Sequence, residues 1–208
     1  MPAIKLFSKD KELRNDMAKI LPSIIKYDRK QENYSIEILF SHDLILKRVR
    51  EIASCITRDY KNKNTLIIAV LKGSFVFCAD LIRHLDFIFA FDFISLSSYK
   101  GLSAKGKVKV ISDIKEELEG KDVIIIEDIA DTGHTLDFLH KELAAKNPRS
   151  VKTCVFLDKK CSRVKNVPID YYGFEIGNDF VVGYGLDYNG FFRGLPYIGI
   201  LNLNKSNK

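Results

Sequence analysis

This chain of 208 residues contains no Cys-x-x-Cys motif, no apolar region typical of a secretory signal, and no long apolar segment. The four cysteines, Cys55, Cys78, Cys154 and Cys161, form no Cys-x-x-Cys motif, so we interpret them as free thiols of a reducing compartment. We expect the first three to lie in the core. Residues 1–16 lack the apolar region of a secretory signal, and no apolar run approaches the ~20 residues that span a bilayer. These absences predict a cytoplasmic protein without a membrane partner.

A long basic run, an internal repeat and a low-complexity segment are also absent. Lysine and arginine total 33 against 27 acidic residues, which gives a net charge of +6. This balance fits anionic small substrates as well as nucleic acid, and an effect on solubility alone explains it equally well. The chain is 46% hydrophobic and 29% charged, an ordinary globular composition, and it is long enough for one sizeable core.

The most informative stretch lies at residues 123–136. The β-branched run Val123-Ile124-Ile125-Ile126 predicts a strand buried on both faces, and Glu127 and Asp128 follow where that strand would emerge from its sheet. The sequence Asp-Thr-Gly-His-Thr (131–135) predicts a turn into a helix, whose amides and positive dipole end would hold an anion. Carboxylates beside a phosphate cradle suggest sugar hydroxyls or a divalent metal. The alternative is an ordinary buried strand with a solvated turn.

Helical and strand patterns alternate along the chain, which predicts a largely parallel sheet between layers of helices. Ser41 has the side chain of a helix N-cap, and apolar residues recur after it at helical spacing to about residue 60. Residues 1–35 form a polar N-terminal extension, and from residue 159 short segments rich in Tyr, Gly and Asp predict small irregular strands over one end of the sheet. Besides the central stretch, we predict strands at 65–71, 91–99, 107–111 and 151–157, and helices at 75–84 and from residue 136 to near 147–148.

The acidic pair with its Asp-Thr-Gly-x-Thr turn resembles the signature of the type I phosphoribosyltransferases, which use phosphoribosyl pyrophosphate. The resemblance to hypoxanthine-guanine phosphoribosyltransferase extends over about residues 36 to 202, with matching stretches at 71–75, 97–99, 158–160, 180–188 and 191–193. It implies an α/β fold with a parallel-sheet, Rossmann-like three-layer core in residues 36–208, a small C-terminal hood (mainly 159–208) and a flexible hairpin loop. The loop would open at Ser98 and Tyr99.

The implied reaction transfers the phosphoribosyl group to N9 of hypoxanthine, guanine or both, through a transition state that resembles an oxocarbenium ion. Asp131 takes the family's general acid/base position, at which a carboxylate accepts the proton of purine N7; capping of the following helix is its alternative role. The pyrophosphate would contact Lys72, Gly73 and Arg193, although Arg193 also fits a surface ion pair. In the family the Leu71–Lys72 peptide can be cis. The ribose and its 5-phosphate would be held by Glu127, Asp128, Asp131, Thr132, Gly133, the backbone amide of His134, and Thr135.

The purine would lie among Lys159, Phe180, Val181 and Asp187. By resemblance, Lys159 reads the 6-oxo group, Phe180 stacks on the ring, and Val181 offers backbone groups; taken alone, Phe180 would be interpreted as a core aromatic. Asp179 stands where relatives often carry a basic or other polar residue, so the choice among hypoxanthine, guanine and xanthine stays open. The implied cofactor is Mg²⁺, and its candidate ligands are Glu127, Asp128 and Asp187.

Three functions compete at this point: hypoxanthine or guanine salvage, a phosphoribosyltransferase that prefers xanthine, and a regulator on the same fold that binds a nucleotide and RNA or DNA. The chain keeps Lys72, Asp131, Lys159 and Arg193 and lacks a basic stripe with interleaved aromatics, and both facts favour the enzyme. We therefore expect small-molecule partners alone, namely phosphoribosyl pyrophosphate and a 6-oxopurine, and no nucleic acid. The family usually forms oligomers, so we expect a homodimer or homotetramer.

Overall fold

Nine strands form two sheets in the computed structural model, which describes residues 33–98, 108–112 and 114–204. The strands are β1 (Asn33–Phe40), β2 (Thr65–Leu71), β3 (Ala90–Ser98), β4 (Val108–Ser112), β5 (Asp122–Ala130), β6 (Ser150–Asp158), β7 (Tyr171–Glu175), β8 (Val181–Val182) and β9 (Ile198–Asn204). The larger sheet has the order β4-β3-β2-β5-β6-β7. All its neighbouring strands are parallel except β3 and β4, which are antiparallel.

Three α-helices flank the larger sheet: α1 (His42–Tyr60), α2 (Phe75–Ile82) and α3 (His134–Ala144). Ser41 caps α1, because its hydroxyl accepts a hydrogen bond from the backbone N–H of Leu44 at 3.3 Å. A short 3₁₀-helix (Lys160–Ser162) follows β6. The helices alternate with the strands in sequence, and this arrangement places the carboxyl ends of β2, β5 and β6 at one edge of the sheet.

The two faces of the sheet carry separate apolar cores. Alternate residues of β2 and β5 point to opposite faces, so a continuous run of β-branched and aliphatic residues supplies both cores. One core contains Ile67, Ala69, Ile124 and Ile126 with residues of α1 and α2, such as Ile45 and Phe77. The other contains Leu66, Ile68, Val123 and Ile125 with Leu136, Leu139 and Leu143 of α3. The predicted α/β fold with a three-layer core is therefore confirmed.

A second, three-stranded sheet forms a hood with the order β1-β9-β8. Strand β9 pairs antiparallel with both neighbours, and its partner β1 begins at Asn33. The hood thus takes one strand from near the start of the domain as well as two from residues 159–208. The sequence analysis placed the hood mainly in the later segment and did not identify β1, which overlaps the end of the predicted extension; the division into domains itself stays a prediction.

Several predicted element ends shift by a few residues. Helix α2 ends at Ile82 rather than at residue 84, because the chain tightens there and the N–H of His84 bonds to the carbonyl of Leu81. Helix α3 ends at Ala144, ahead of the predicted 147–148. Strand β5 continues through the acidic pair to Ala130, since its backbone stays paired with the equally long β6. Glu127 and Asp128 therefore lie within the strand and not beyond its end.

Two of the three cysteines expected in the core are buried, Cys78 and Cys154. Cys55 is only half-buried, because it lies at the margin of the apolar stripe of α1, and Cys161 is exposed. All four are free thiols. Ser98 is the last residue of β3, whereas Tyr99 and the predicted hairpin loop after it lie outside the described residues. Among the described helices, none combines the length and apolar character that crossing a bilayer requires.

Candidate functional site

The turn after β5 joins the acidic strand end to the N-terminus of α3. Gly133 is the N-cap of that helix, with a φ of +85°, and its carbonyl accepts the N–H of Asp137 at 2.9 Å. A side chain here would place its Cβ 2.8 Å from the carbonyl oxygen of Lys165, so both backbone conformation and space require glycine. Thr132 is exposed and His134 and Thr135 are half-buried, and they surround the free amides of the helix N-terminus. This geometry fits the predicted anion cradle, and the binding of an anion there stays a prediction.

Asp131 stands at the mouth of this cradle with an exposed side chain. It does not cap α3, because Gly133 occupies the N-cap position and no side-chain capping bond is formed there. The capping role considered for Asp131 is therefore wrong. Within the described residues its carboxylate makes no hydrogen bond or ion pair, and only its backbone carbonyl is engaged. The carboxylate is thus free to meet a ligand.

The acidic pair is strongly uncompensated. Glu127 is only 8% exposed, and its Oε2 has no hydrogen-bond partner among the described residues. Burial, and then the charge and hydrogen bond of the adjacent Asp128, raise the pKa of Glu127 well above its ordinary value. An unpaired buried carboxyl is costly unless something donates to it or neutralises it. Ribose hydroxyls or a divalent cation would both do so, and the donor set fits either ligand.

Lys72 and Gly73 form a tight loop between β2 and α2, next to the acidic pair. The Leu71–Lys72 peptide is cis. Gly73 lies so close to Asp128 that an added Cβ would be 1.7 Å from the Asp128 Oδ2. On the other side of the loop, a Cβ on Gly185 of the hood would be 2.1 Å from the Gly73 carbonyl oxygen. The loop is therefore packed between the strand end and the hood, with the Lys72 side chain exposed.

Two predicted purine contacts lie together on the other side of Asp131. Lys159 follows β6 directly; its backbone N–H bonds to the carbonyl of Ala130 at 3.0 Å, and its Nζ donates to the carbonyl of Asp179 at 3.1 Å. Phe180, the next residue after Asp179, is 51% exposed, so the interpretation as a core aromatic is wrong. Its ring meets Tyr188 edge-on, with centroids 5.6 Å apart. About half of Phe180 is thus accessible, and the residue before it in sequence is the one that Lys159 contacts.

In the same region, the side chains of Val181 and Lys160 belong to the scaffold of the protein and not to the candidate site. Val181 is buried in β8, where only its backbone can face a ligand. Lys160, the neighbour of Lys159, pairs with Glu175 at 2.8 Å, and this hydrogen bond is the main cause that raises the pKa of Lys160. Lys160 is thus held at the edge strand β7, which leaves Lys159 as the lysine beside Phe180.

Asp187 and Arg193 pair with each other inside the hood. Asp187 Oδ1 lies 2.6 Å from an Arg193 nitrogen, and its Oδ2 accepts the N–H of Gly190 at 2.7 Å. Arg193 also donates to the Gly185 carbonyl at 2.6 Å. The ion-pair alternative for Arg193 is therefore what the structure contains, and its pyrophosphate contact stays a prediction. The described residues include no cluster of three or more acidic, histidine or cysteine ligands, and the assignment of Glu127, Asp128 and Asp187 to one metal site stays a prediction.

Sequence reasoning missed several residues that shape this site. Gly185 buttresses the Lys72–Gly73 loop, and its Gly-Tyr-Gly setting (183–185) is a local sign of tight turns. Tyr188 supports Phe180 and itself meets Tyr34 of β1 at 5.9 Å. Arg163 bonds to the strand ends on which Asp131 and Lys159 stand. Nothing in the sequence distinguishes this arginine from a solvated one.

Comparisons with known proteins agree with this geometry. The sequence model described as the phosphoribosyl transferase domain matches residues 35–189. A hypoxanthine-guanine phosphoribosyltransferase of Streptococcus thermophilus is 42% identical over 173 residues, which cover 83% of this chain and 96% of that protein. The bifunctional protein TilS/HprT of Listeria monocytogenes is 38% identical over 97% of this chain, and the match spans 32% of that relative, about a third of its length.

Solved structures give the same answer. The crystal structure of a hypoxanthine-guanine phosphoribosyltransferase from Bacillus anthracis superposes with a TM-score of 0.77 at 42% identity, covering 82% of this chain and 99% of that one. The family model matches most of the described domain, and the Streptococcus relative is matched over nearly its whole length. The chain therefore belongs to the phosphoribosyltransferase domain family, among the relatives of hypoxanthine-guanine phosphoribosyltransferase.

Proposed function

We propose that this chain is a purine salvage enzyme, a pentosyltransferase that moves the 5-phosphoribosyl group from phosphoribosyl pyrophosphate to N9 of hypoxanthine or guanine. The products would be IMP or GMP and pyrophosphate. The observation that carries the proposal is the exposed, unengaged carboxylate of Asp131, which stands just before the N-terminus of α3 and just after Ala130, whose carbonyl accepts the N–H of Lys159. A phosphorylated sugar and a flat base are the two halves of the product, and both would meet at this carboxylate.

Asp131 would act on the base as a proton acceptor. As N9 attacks the anomeric carbon, N7 of the purine becomes more acidic, and a carboxylate at hydrogen-bond distance can take its proton. The amides of residues 132–135 would hold the 5-phosphate at the positive end of α3, and this fixes the sugar relative to Asp131. Positive charge developing on the ribose in an oxocarbenium-like transition state would be stabilised by Glu127 and Asp128 through their contacts with the ribose hydroxyls.

Lys159 would determine the class of base. Its Nζ donates to the Asp179 carbonyl at 3.1 Å. When a base enters, the ammonium group would donate to a 6-oxo acceptor and would meet a 6-amino donor unfavourably, so hypoxanthine and guanine are favoured over adenine. Phe180 would cover one face of the ring, and the backbone of Val181 would meet its edge. The proposed ligands are small molecules, and nucleic acid is not among them.

Mg²⁺ is the proposed cofactor, and Glu127 and Asp128 are the residues that best fit it. Burial and the neighbouring Asp128 raise the pKa of Glu127 and its Oε2 has no donor among the described residues, and a hard cation would offset both effects. Mg²⁺ needs only one or two carboxylates when substrate oxygens and water complete its shell. Asp187 would serve only after its contacts with Arg193 and Gly190 open. Bound Mg²⁺ would neutralise the charge of the pyrophosphate leaving group.

The proposal is tested by one turnover assay with phosphoribosyl pyrophosphate, Mg²⁺ and, in separate reactions, adenine, hypoxanthine, guanine or xanthine. We expect turnover of hypoxanthine or guanine and little of adenine. Turnover of xanthine above both would establish the alternative substrate preference. A protein that binds nucleotide but converts none of the four bases would be a regulator, and the enzyme proposal would be abandoned.

We also propose that the protein is cytoplasmic, since its four cysteines are free thiols, and that it forms a homodimer or homotetramer, as its family resemblance implies. Light scattering coupled to size exclusion measures the mass in solution directly, and a monomer at the concentrations used for turnover would rule out the oligomer.

A further inference from the structure

Arg163 lies at the junction of the two strands that carry the proposed catalytic and purine-reading residues. It comes directly after the 3₁₀-helix, and its side chain is 16% exposed. Its guanidinium makes three hydrogen bonds: Nε donates to the Asp131 carbonyl at 3.0 Å, and Nη2 donates to the Ala130 carbonyl at 3.0 Å and to Asp158 Oδ1 at 2.5 Å. Two of these acceptors are the last residues of β5 and β6, and the third, Asp131, follows β5 directly.

These three acceptors relate two residues that must act on the same base. Ala130 ends β5 and directly precedes Asp131, and Asp158 ends β6 and directly precedes Lys159. One planar guanidinium therefore fixes both strand ends relative to each other. A lysine has a single nitrogen and cannot meet two carbonyls and a carboxylate in this fork arrangement.

The charge of this arginine is also required locally. Asp158 is 2% exposed, and a buried carboxylate is tolerated only when it is paired and hydrogen-bonded. The charge-assisted bond to Arg163 supplies that pairing, while Lys160 approaches Asp158 only at 3.9 Å. Arg163 thus has two functions: it neutralises the charge of Asp158, and it holds the backbone at Asp131.

The backbone after Arg163 holds the phosphate turn by hydrogen bonds of its own, and the part of the arginine side chain closest to Gly133 is Cδ, which a lysine also has. The N–H groups of Val164 and Lys165 both donate to the Thr132 carbonyl at 2.9 Å, and the Lys165 carbonyl faces the α-carbon of Gly133. A change of the Arg163 side chain therefore leaves this backbone clasp of the cradle available. Effects on the base and on the sugar phosphate are separable for this reason.

We propose that Arg163 is a positioning residue, which sets the distance between the Asp131 carboxylate and the Lys159 ammonium group so that both meet one purine. The proposal rests on the proposed function. It assigns Arg163 an indirect role, since Nε and Nη2 donate to two backbone carbonyls and to Asp158. Its loss should therefore act on kcat and on the KM for the base, with little effect on the KM for phosphoribosyl pyrophosphate.

The decisive variant is Arg163→Lys, which keeps a positive charge near Asp158 but removes the fork. We expect a folded protein whose kcat with hypoxanthine or guanine falls by about tenfold to a hundredfold, the scale of a misplaced catalytic group. The KM for the base should rise, and the KM for phosphoribosyl pyrophosphate should stay close to the wild-type value. Arg163→Met should in addition lower the melting temperature, because it leaves Asp158 buried without its partner.

The chain offers a matched control at the opposite end of the same strands. Arg149 pairs at 3.6 Å with Asp122, a buried aspartate that begins β5. Arg149→Lys makes the same chemical change beside the same strand, far along it from Asp131, so kcat and both KM values should stay at the wild-type level. A loss of kcat in this control equal to that of Arg163→Lys would show a general effect of charge or stability and would overturn the proposal.

The remaining outcomes are also decisive. Unchanged kcat and base KM in Arg163→Lys would refute the positioning role while the active wild type upholds the proposed function. A lower apparent kcat with both KM values unchanged, together with a lowered melting temperature, would show that Arg163 acts only on folding and would refute the positioning role. If the wild type itself converts no base under the same conditions, the proposed function fails, and the role of Arg163 fails with it.

Discussion

Gly73 and Gly185 occupy adjacent positions in the site, and alanine at each should separate substrate binding from folding. At Gly73 the new Cβ would lie 1.7 Å from Asp128 Oδ2 and 2.5 Å from its Cγ, both in a side chain that can rotate. At Gly185 it would lie 2.1 Å from the Gly73 carbonyl oxygen, which belongs to backbone, and φ is +100°. The first clash is relieved by moving a ligand-binding carboxylate, the second only by moving the chain.

Two effects determine how far Gly185→Ala lowers the free energy of unfolding. A non-glycine residue in left-handed backbone costs about 1–2 kcal/mol, and overpacking against an immobile neighbour costs about 1–3 kcal/mol. We therefore expect the free energy of unfolding to fall by roughly 2–5 kcal/mol, a large part of the ordinary 5–15 kcal/mol. For a protein of this size the melting temperature should fall by roughly 4–20 °C.

For Gly73→Ala the balance is different. Its backbone is not in the left-handed region, so the alanine gains about 0.4–1 kcal/mol by restricting the unfolded chain, and this offsets the rotation of Asp128. The unfolding free energy should therefore stay within about 1 kcal/mol of wild type. Displacement of Asp128 should remove a charged hydrogen bond to the ribose. The binding of phosphoribosyl pyrophosphate should therefore weaken by about 1.5–3 kcal/mol, at least tenfold in Kd.

Urea unfolding and titration calorimetry with phosphoribosyl pyrophosphate and Mg²⁺ measure the two effects separately. Gly120→Ala is the control, since Gly120 has a φ of +68° and no heavy atom within 4 Å of an added Cβ, so it reports the backbone term alone. The reasoning is refuted if Gly73→Ala binds as tightly as wild type, or if it unfolds as easily as Gly185→Ala. The second result would mean that Asp128 is as rigid as the backbone.

Three further predictions concern single side chains. Asp131→Asn should lower kcat by roughly 10²–10⁴ while phosphoribosyl pyrophosphate still binds in calorimetry, and an unchanged rate removes the acid/base role. Lys159→Ala should raise the KM for the base more than the KM for phosphoribosyl pyrophosphate. If the KM for phosphoribosyl pyrophosphate rises more, Lys159 contacts the sugar phosphate and not the base. Burial lowers the pKa of His140 below its ordinary value of 6.5, and Asp170 and Asp137 offset this shift only in part. The neutral form of His140 therefore stabilises the fold above pH 6.5, and this contribution is lost as the pH falls below that value. His140→Gln should flatten this part of the pH dependence in urea unfolding between about pH 5 and 8, and an identical pH dependence in both proteins refutes it.

The central strands were predictable almost to the residue because local composition decides them. The central positions of β2, β5 and β6 are buried on both faces and favour apolar, mostly β-branched residues, so the runs are visible in sequence. The end of β5 was not predictable in this way. Its backbone pairing with β6 continues through Glu127 and Asp128, since ladder hydrogen bonds do not depend on side-chain polarity.

The hood was predicted only in outline because its pairing is non-local. Strand β1 pairs with β9 across more than half the chain, and no pattern within β1 names that partner. Tyr34 of β1 meets Tyr188 and Phe192, so a segment near the start of the domain supports the aromatic residues beside the proposed purine site. The contribution of β1 to the site therefore follows from sheet topology, which a single sequence does not specify.

In the candidate site, too, some residues were predictable from a local motif, whereas other properties depend on tertiary contacts. Thr132, Gly133 and the start of α3 follow from a short motif whose glycine and free amides have one geometric purpose, so their chemistry was predictable. The state of Glu127 depends on burial by neighbouring strands, and the partners of Arg163 depend on which strand ends meet. A motif can name the groups that touch a substrate, whereas the pKa of a carboxyl and the spacing of two such groups are properties of the assembled sheet. Substitutions at Arg163 probe that second kind of property, and substitutions at Asp131 probe the first.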